Sequence, residues 1–228
     1  MQYNAKDSWT NVFLGSEMAW PSEYVIRMFK GTFPKLDLKA KGFADKKILD
    51  IGCGDGRNIV LLKTCGFDAY GMEITDEICR KSRDNLTKAG VGDIDVRTGA
   101  NDRIPFENDF FDYVLSWNQC YYMGKANDFD TYVDEFARIM KSGATLVFSI
   151  PKSTCFIYKG SEESKPGYRI IRNDPFNIRD GEILRMFGGE NEIEKTFSRH
   201  FEKFVFGSIH DDCFGYDYHW HIGYCVKK

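Results

Sequence analysis

The residues in this chain best suited to chemistry are an acid, a run of alternating glycines and a second acid: Asp50, then Gly52, Gly54 and Gly56, then Glu73. Ile48, Leu49 and Ile51 form a short apolar run that stops at the glycines, and a helix-forming segment follows from Arg57. The stretch therefore reads as a buried strand, a tight turn and a helix N-terminus. Glycine permits positive φ and close approach of backbone to ligand, while the first helical turn leaves N–H groups unpaired in the same space. This is the arrangement of a nucleotide-binding turn. Asp50 stands where a carboxylate orients the loop or meets a positively charged ligand. Glu73 lies near the end of the next apolar stretch, DAYGMEI (residues 68–74), 23 positions after Asp50. That is close to the spacing of roughly 20 at which an acid at a second strand's tip accepts hydrogen bonds from ribose hydroxyls. The dinucleotide fingerprint requires glycine where Arg57 stands; here the third glycine comes one residue early, at Gly56, which turns the site away from NAD.

The elements that must position these groups alternate along the chain. Residues 58–64 continue as helix, and Cys65-Gly66 stop it. Thr75 or Asp76 caps a helix reaching about Ala89, and DIDVRT (residues 93–98) alternates like a strand. FDYVLSW (residues 111–117) is a strongly apolar strand, residues 127–141 carry apolar side chains at helical spacing, and ATLVFSI (residues 144–150) is another buried strand. Such alternation predicts a parallel sheet with right-handed crossovers. Ligands of these sheets sit beyond the carboxyl ends of the strands, so the tip that begins at Asn118 should face the reacting atoms. Asn118 offers an amide there, and Tyr121 and Tyr122 offer a wall or a hydroxyl.

Residues 50–56, DIGCGDG, resemble the first motif of the class I S-adenosylmethionine-dependent methyltransferases: acid, any residue, glycine, any residue, glycine. The resemblance covers residues 46–150 well and the terminal hairpin more loosely. It implies a Rossmann-like α/β fold, a seven-stranded, mostly parallel sheet with helices on both faces and an antiparallel C-terminal strand. It also implies S-adenosyl-L-methionine as cofactor, held by Asp50, Gly52, Cys53, Gly54, Glu73, Ile74, Asn101, Asp102 and Asn118. Residues 99–106 look like the family's adenine-contacting loop; this chain has Ala100 where many members carry aspartate, which leaves Asn101 and Asp102 to reach the adenine edge. N-terminal helices of the family close over the cofactor, which makes Trp9, Phe13 and Trp20 lid residues and Trp20 a substrate contact. The Asp-Pro-Pro-Tyr motif of DNA amino-methyltransferases is absent.

Composition narrows the function further. The 228 residues, 43% of them apolar, suit one α/β domain with appendages. We expect an N-terminal helical lid (residues 1–46), a cofactor-binding core (47–150), a substrate-side insertion (151–200) and a C-terminal β-hairpin (201–228). The net charge of −3 comes from 31 basic and 34 acidic residues mixed along the chain, so no basic face argues for a nucleic-acid substrate. Seven cysteines, odd in number and never spaced as CxxC, read as reduced thiols of a cytoplasmic protein. No apolar run approaches the roughly 20 residues of a membrane span, and the oligomeric state is open.

The acceptor site is expected from the less regular parts. Residues 152–180 leave the carboxyl end of a strand and should overhang the active face, with Tyr158, Tyr168, Arg169 and Arg172 as contacts for an acceptor, including an anionic one. Residues 182–187 read as a short helix, and residues 201–209 and 219–226 as two strands. If the last strand is antiparallel, the connector over residues 210–219 lies above the transfer site. His210, His219 and Asp211 are then the candidates to remove a proton, and Tyr218 and His221 to bind the acceptor. Three histidines and two aspartates there also offer metal ligands, though a plain hairpin or acceptor binding suits them better, and we assign no metal. Methyl transfer from a sulfonium is an in-line displacement that asks chiefly for proximity, alignment and exclusion of water. The leading expectation is O- or N-methylation of a small polar metabolite or sugar. Methylation of protein or RNA, a catalytically silent cofactor-binding protein, and a nicotinamide-dependent oxidoreductase are the competing readings.

Overall fold

The computed structural model describes residues 5–39, 42–124 and 128–228. Asn127, the first residue of the helix expected over 127–141, lies outside them. Two helices come first, α1 (Ala5–Gly15) and α2 (Glu23–Lys30). The apolar stripe of α2, Val25, Met28 and Phe29, is buried, as one-sided helical spacing requires. The core follows as β1 (Lys47–Ile51), α3 (Arg57–Thr64), β2 (Asp68–Glu73), α4 (Asp76–Lys88), β3 (Val96–Thr98) and β4 (Phe111–Ser116). Then come β5 (Tyr122–Met123), α5 (Phe129–Ile139), β6 (Met140–Pro151), β7 (Glu162–Lys165), β8 (Tyr168–Ile170), β9 (Ile183–Arg185), α6 (Glu190–Phe197), β10 (Phe201–Cys213) and β11 (Tyr216–Lys227).

Seven strands form one sheet in the order β10-β11-β6-β4-β1-β2-β3. The five from β3 to β6 are parallel, and β11 runs antiparallel to both β6 and β10. The mostly parallel sheet and its reversed C-terminal strand are those expected. Chain direction across the sheet switches at β1, whose neighbours β2 and β4 are reached by crossovers leaving to opposite sides, so a crevice opens at its carboxyl end. Ile48, Leu49 and Ile51 of β1 have no exposed surface, which fixes that strand's end in place. Among the described residues no helix is long and apolar enough to cross a membrane.

Three elements depart from expectation. The segment over 182–187 is the strand β9 rather than a helix, because it pairs with β5 on one side and β8 on the other. Two ladders outweigh the weak helical preference of so short a stretch. β5, β9, β8 and β7 make a second, four-stranded sheet, so the expected overhanging loop carries two short antiparallel strands, β7 and β8. The terminal strands also run further than predicted, to Cys213 and from Tyr216, which shrinks their connector to Phe214 and Gly215.

Candidate active site

The glycine turn after β1 has Gly52 at φ 68° and Gly54 at φ 58°, a left-handed backbone that side chains rarely adopt. Space is also short there. A Cβ at Gly52 would stand 2.3 Å from the Gln119 side chain, and one at Gly54 2.6 Å from the Phe13 ring. Glu73, at the tip of β2, is buried and holds the turn: the Gly54 N–H donates to its Oε1 (2.9 Å), and the Ile74 N–H to its Oε2 (2.7 Å). Burial raises the Glu73 carboxyl above its ordinary range, against those two hydrogen bonds. Asp50 lies deeper. Burial first, and then the nearby Glu73, push its carboxyl well up, and its Oδ2 has no hydrogen-bond partner among the described residues. A buried, unpartnered carboxylate oxygen under a glycine turn suits a cationic ligand.

A cavity of about 870 Å³ opens above this turn. Its cofactor-side lining includes Gly52, Glu73, Ile74, Asn101, Asp102 and Asn118. Gln119 spans this wall, its Nε2 donating to Asn101 Oδ1 (2.9 Å). α1 closes the cavity from outside: Trp9 and Phe13 stack at 5.9 Å, and Trp9 meets the Tyr122 ring edge-on at 6.0 Å. The linker after α1 is tied to the glycine turn, with the Ala19 N–H donating to Asp55 Oδ2 (2.9 Å) and the Ser22 N–H to Asn58 Oδ1 (3.2 Å). On the opposite wall stand Tyr121, Tyr122, Phe156, Arg179, Tyr218 and Trp220.

A family model for the methyltransferase domain matches residues 48–143, from β1 into β6. Over that stretch the chain carries a methyltransferase domain and is similar to the class I S-adenosylmethionine-dependent methyltransferases. Its cofactor is S-adenosylmethionine, and it is an enzyme. Solved structures share the fold at low identity. An S-adenosylmethionine-dependent methyltransferase from Methanosarcina mazei is 18% identical, over 86% of this chain and 98% of that one, with a TM-score of 0.68. The 1,6-didemethyltoxoflavin-N1-methyltransferase of Burkholderia thailandensis, with its substrate and S-adenosylhomocysteine bound, is 14% identical over 98% and 87%, with a TM-score of 0.67. A Haloferax volcanii methyltransferase in complex with the Trm112 methyltransferase activator is 17% identical over 100% and 99%, with a TM-score of 0.64.

The methyltransferase's own residues fall into three groups against the sequence reading. Gly52, Glu73, Ile74, Asn101, Asp102, Asn118, Tyr122 and Tyr218 line the cavity. Asp50, Cys53 and Gly54 sit behind it; the Cys53 thiol, pushed well up by burial, lies 3.8 Å from Ser82 Oγ. The others are elsewhere. Trp20 is 89% exposed, Tyr158 is buried and donates to the Arg185 carbonyl (2.9 Å), and Arg169 is spent on Ser161 and Glu163. His210, His219, Asp211 and His221 are also outside the lining. The longer hairpin explains this: His210 pairs with His219 inside the ladder, and strand alternation turns Tyr218 and Trp220 to the cavity and His219 and His221 away from it. His210 meets Lys152 Nζ at 2.6 Å, Asp211 accepts from the Tyr24 hydroxyl (2.8 Å), and burial drives His221 down to about 4.

Sequence reading missed Arg179 and Gln119. Gln119 was legible as the neighbour of Asn118 at a strand tip. Arg179 was not, because its place depends on a loop wound around Asp174. That buried carboxylate accepts the Ile178 and Arg179 N–H groups (3.0 and 3.1 Å) and pairs with Arg179 Nη1 at 3.0 and 3.3 Å. The guanidinium sits among the rings of Trp9, Phe156 and Phe176, 5.7 to 6.0 Å from their centroids.

Proposed function

We propose that this methyltransferase transfers the methyl group of S-adenosylmethionine to an oxygen or nitrogen of a small polar metabolite or sugar. The observation that carries the reading is the roof: α1, β5, β9 and the Arg179 loop all contribute residues to the cavity lining, leaving a chamber scaled to a small molecule rather than an open surface for a macromolecule. The Burkholderia neighbour, which acts on a small molecule, supports this at the level of fold. Glu73 would hold the ribose hydroxyls, Asn101 and Asp102 the adenine edge, and Gly52 and Asn118 the methionine part, with Asp50 beneath the turn compensating positive charge. The bound sulfonium supplies an activated methyl group. The chain's part is to align the acceptor and to exclude water, and the absence of histidine from the described lining supports a reaction driven by orientation rather than by an imidazole base. All seven cysteines are free, in keeping with a cytoplasmic enzyme.

Incubation with methyl-labelled cofactor and separated cell fractions tests the reading. Label should enter the small-molecule fraction. Incorporation into protein or RNA alone would overturn it.

A further inference from the structure

We propose that the acceptor wall of the cavity recognises an uncharged carbonyl-type oxygen carried on a flat ring. The inference rests on the small-molecule reading above and names the chemistry which that molecule must present. It comes from following each proton on the wall.

Arg179 Nε–H donates to the Tyr122 hydroxyl oxygen at 2.9 Å. With that oxygen engaged as an acceptor, the Tyr122 proton is left to donate, and it finds no acceptor among the described residues. The same logic repeats at Tyr218. The Asn118 backbone N–H donates to Ser149 Oγ (2.7 Å), so the Ser149 proton goes to Asn118 Oδ1 (2.9 Å), and the amide nitrogen is turned toward Tyr218, whose oxygen it approaches at 3.4 Å. Tyr218 is therefore also set to donate. Arg179 Nη2 makes no hydrogen bond to a described residue. Three groups on one wall thus have hydrogen to give, which calls for an accepting oxygen opposite them. Burial raises both tyrosines above their ordinary values, so the protons stay in place near neutrality.

Charge selects among oxygens. Arg179 is already matched by Asp174, whose side chain has no exposed surface. A carboxylate placed here would add a second negative group against that one guanidinium, whereas a neutral carbonyl takes the donors without that cost. Shape selects the body. Trp9, Tyr121, Tyr122, Phe156, Tyr218 and Trp220 offer ring faces and edges, suited to stacking on a planar molecule.

The test uses the full chain saturated with S-adenosylhomocysteine and four probes followed by ligand-observed NMR: benzamide, benzoate, benzylamine and cyclohexanecarboxamide. Benzamide should bind roughly fivefold or more tightly than each of the others. Tyr122→Phe and Tyr218→Phe should each weaken benzamide by about threefold or more while S-adenosylhomocysteine still binds. Retained cofactor-product binding certifies the fold, and if one variant loses it, the other carries the test. Benzoate or benzylamine binding as well as benzamide, or benzamide indifferent to both substitutions, overturns the proposal. So does binding of S-adenosylhomocysteine with no benzamide binding, which leaves the cofactor assignment intact; failure of S-adenosylhomocysteine itself would strike the reading beneath.

Discussion

The two sides of the cavity treat their buried acids in opposite ways. On the cofactor side, Asp50 keeps an oxygen with no partner among the described residues, and burial lifts both its carboxyl and that of Glu73. On the acceptor side, Asp174 is just as buried but accepts two backbone N–H groups and a guanidinium. One side is left electrostatically incomplete, and the other is closed on itself. The difference teaches what each side recognises: an incomplete acid site gains from a cationic cofactor, whereas a completed ion pair can only offer hydrogen bonds and ring faces.

The comparison breaks most visibly at Arg179. Arg179→Met leaves the Asp174 carboxylate buried without its cation, and we expect a loss of about 3–5 kcal/mol of stability. Adding Asp174→Asn should recover part of that loss, because the amide oxygen can still accept the two loop N–H groups. Denaturant titration reads both, and an Arg179→Met chain as stable as the parent would show that the pair is not the closed unit described. Next in size is Glu73→Ala, which unpairs the Gly54 and Ile74 N–H groups and removes a carboxylate from the cavity. Calorimetry should show S-adenosylmethionine binding weakened by roughly 1–3 kcal/mol. An unchanged dissociation constant would remove Glu73 from the cofactor site.

Asp50→Asn sharpens the same contrast through pH. Because the folded carboxyl sits above its unfolded value, its contribution is fully present at low pH and is lost as pH rises through the folded value, where burying the charge becomes costly. The cofactor-free variant should therefore melt like the parent near pH 4 and above it at pH 8, by about 1 kcal/mol or more, while binding S-adenosylmethionine less well. Melting curves across that range decide; a variant less stable than the parent at pH 8 sinks the account of Asp50 as an incompletely satisfied acid.

The cofactor side was legible because its parts are close in sequence. A strand, three glycines and a helix N-terminus specify one turn, and the acid at the end of β2 is brought beside it by the parallel pairing of β1 with β2. The acceptor side was legible only at single residues such as Tyr122 and Tyr218, which line the cavity, because no local pattern encodes its framework. β9 looks helical until it meets β5 and β8, and Arg179 reaches the cavity only because Asp174 winds the loop that carries it. The terminal hairpin shows a subtler failure. Alternation along the stretch separates Trp220 from His219 and His221, but nothing in it says which of the two faces meets the cavity.

That choice of face yields the smallest expected effect. His210 is fully exposed, lies beside His219 across the ladder, and has its proton affinity lowered first by Lys152. His219 meets Thr154 Oγ1 at 3.0 Å, and neither histidine borders the cavity. An imidazole there can reach an acceptor only if the hairpin turns over, which would also carry Tyr218 and Trp220 out of the wall they form. His210→Ala and His219→Ala should therefore leave turnover within about twofold of the parent, the range of ordinary surface substitutions. The pH–rate profile should keep its shape as well. A tenfold drop in either variant, or the loss of a limb of the profile near pH 6, would bring the outer face of the hairpin into the reaction and reverse the assignment of its two sides.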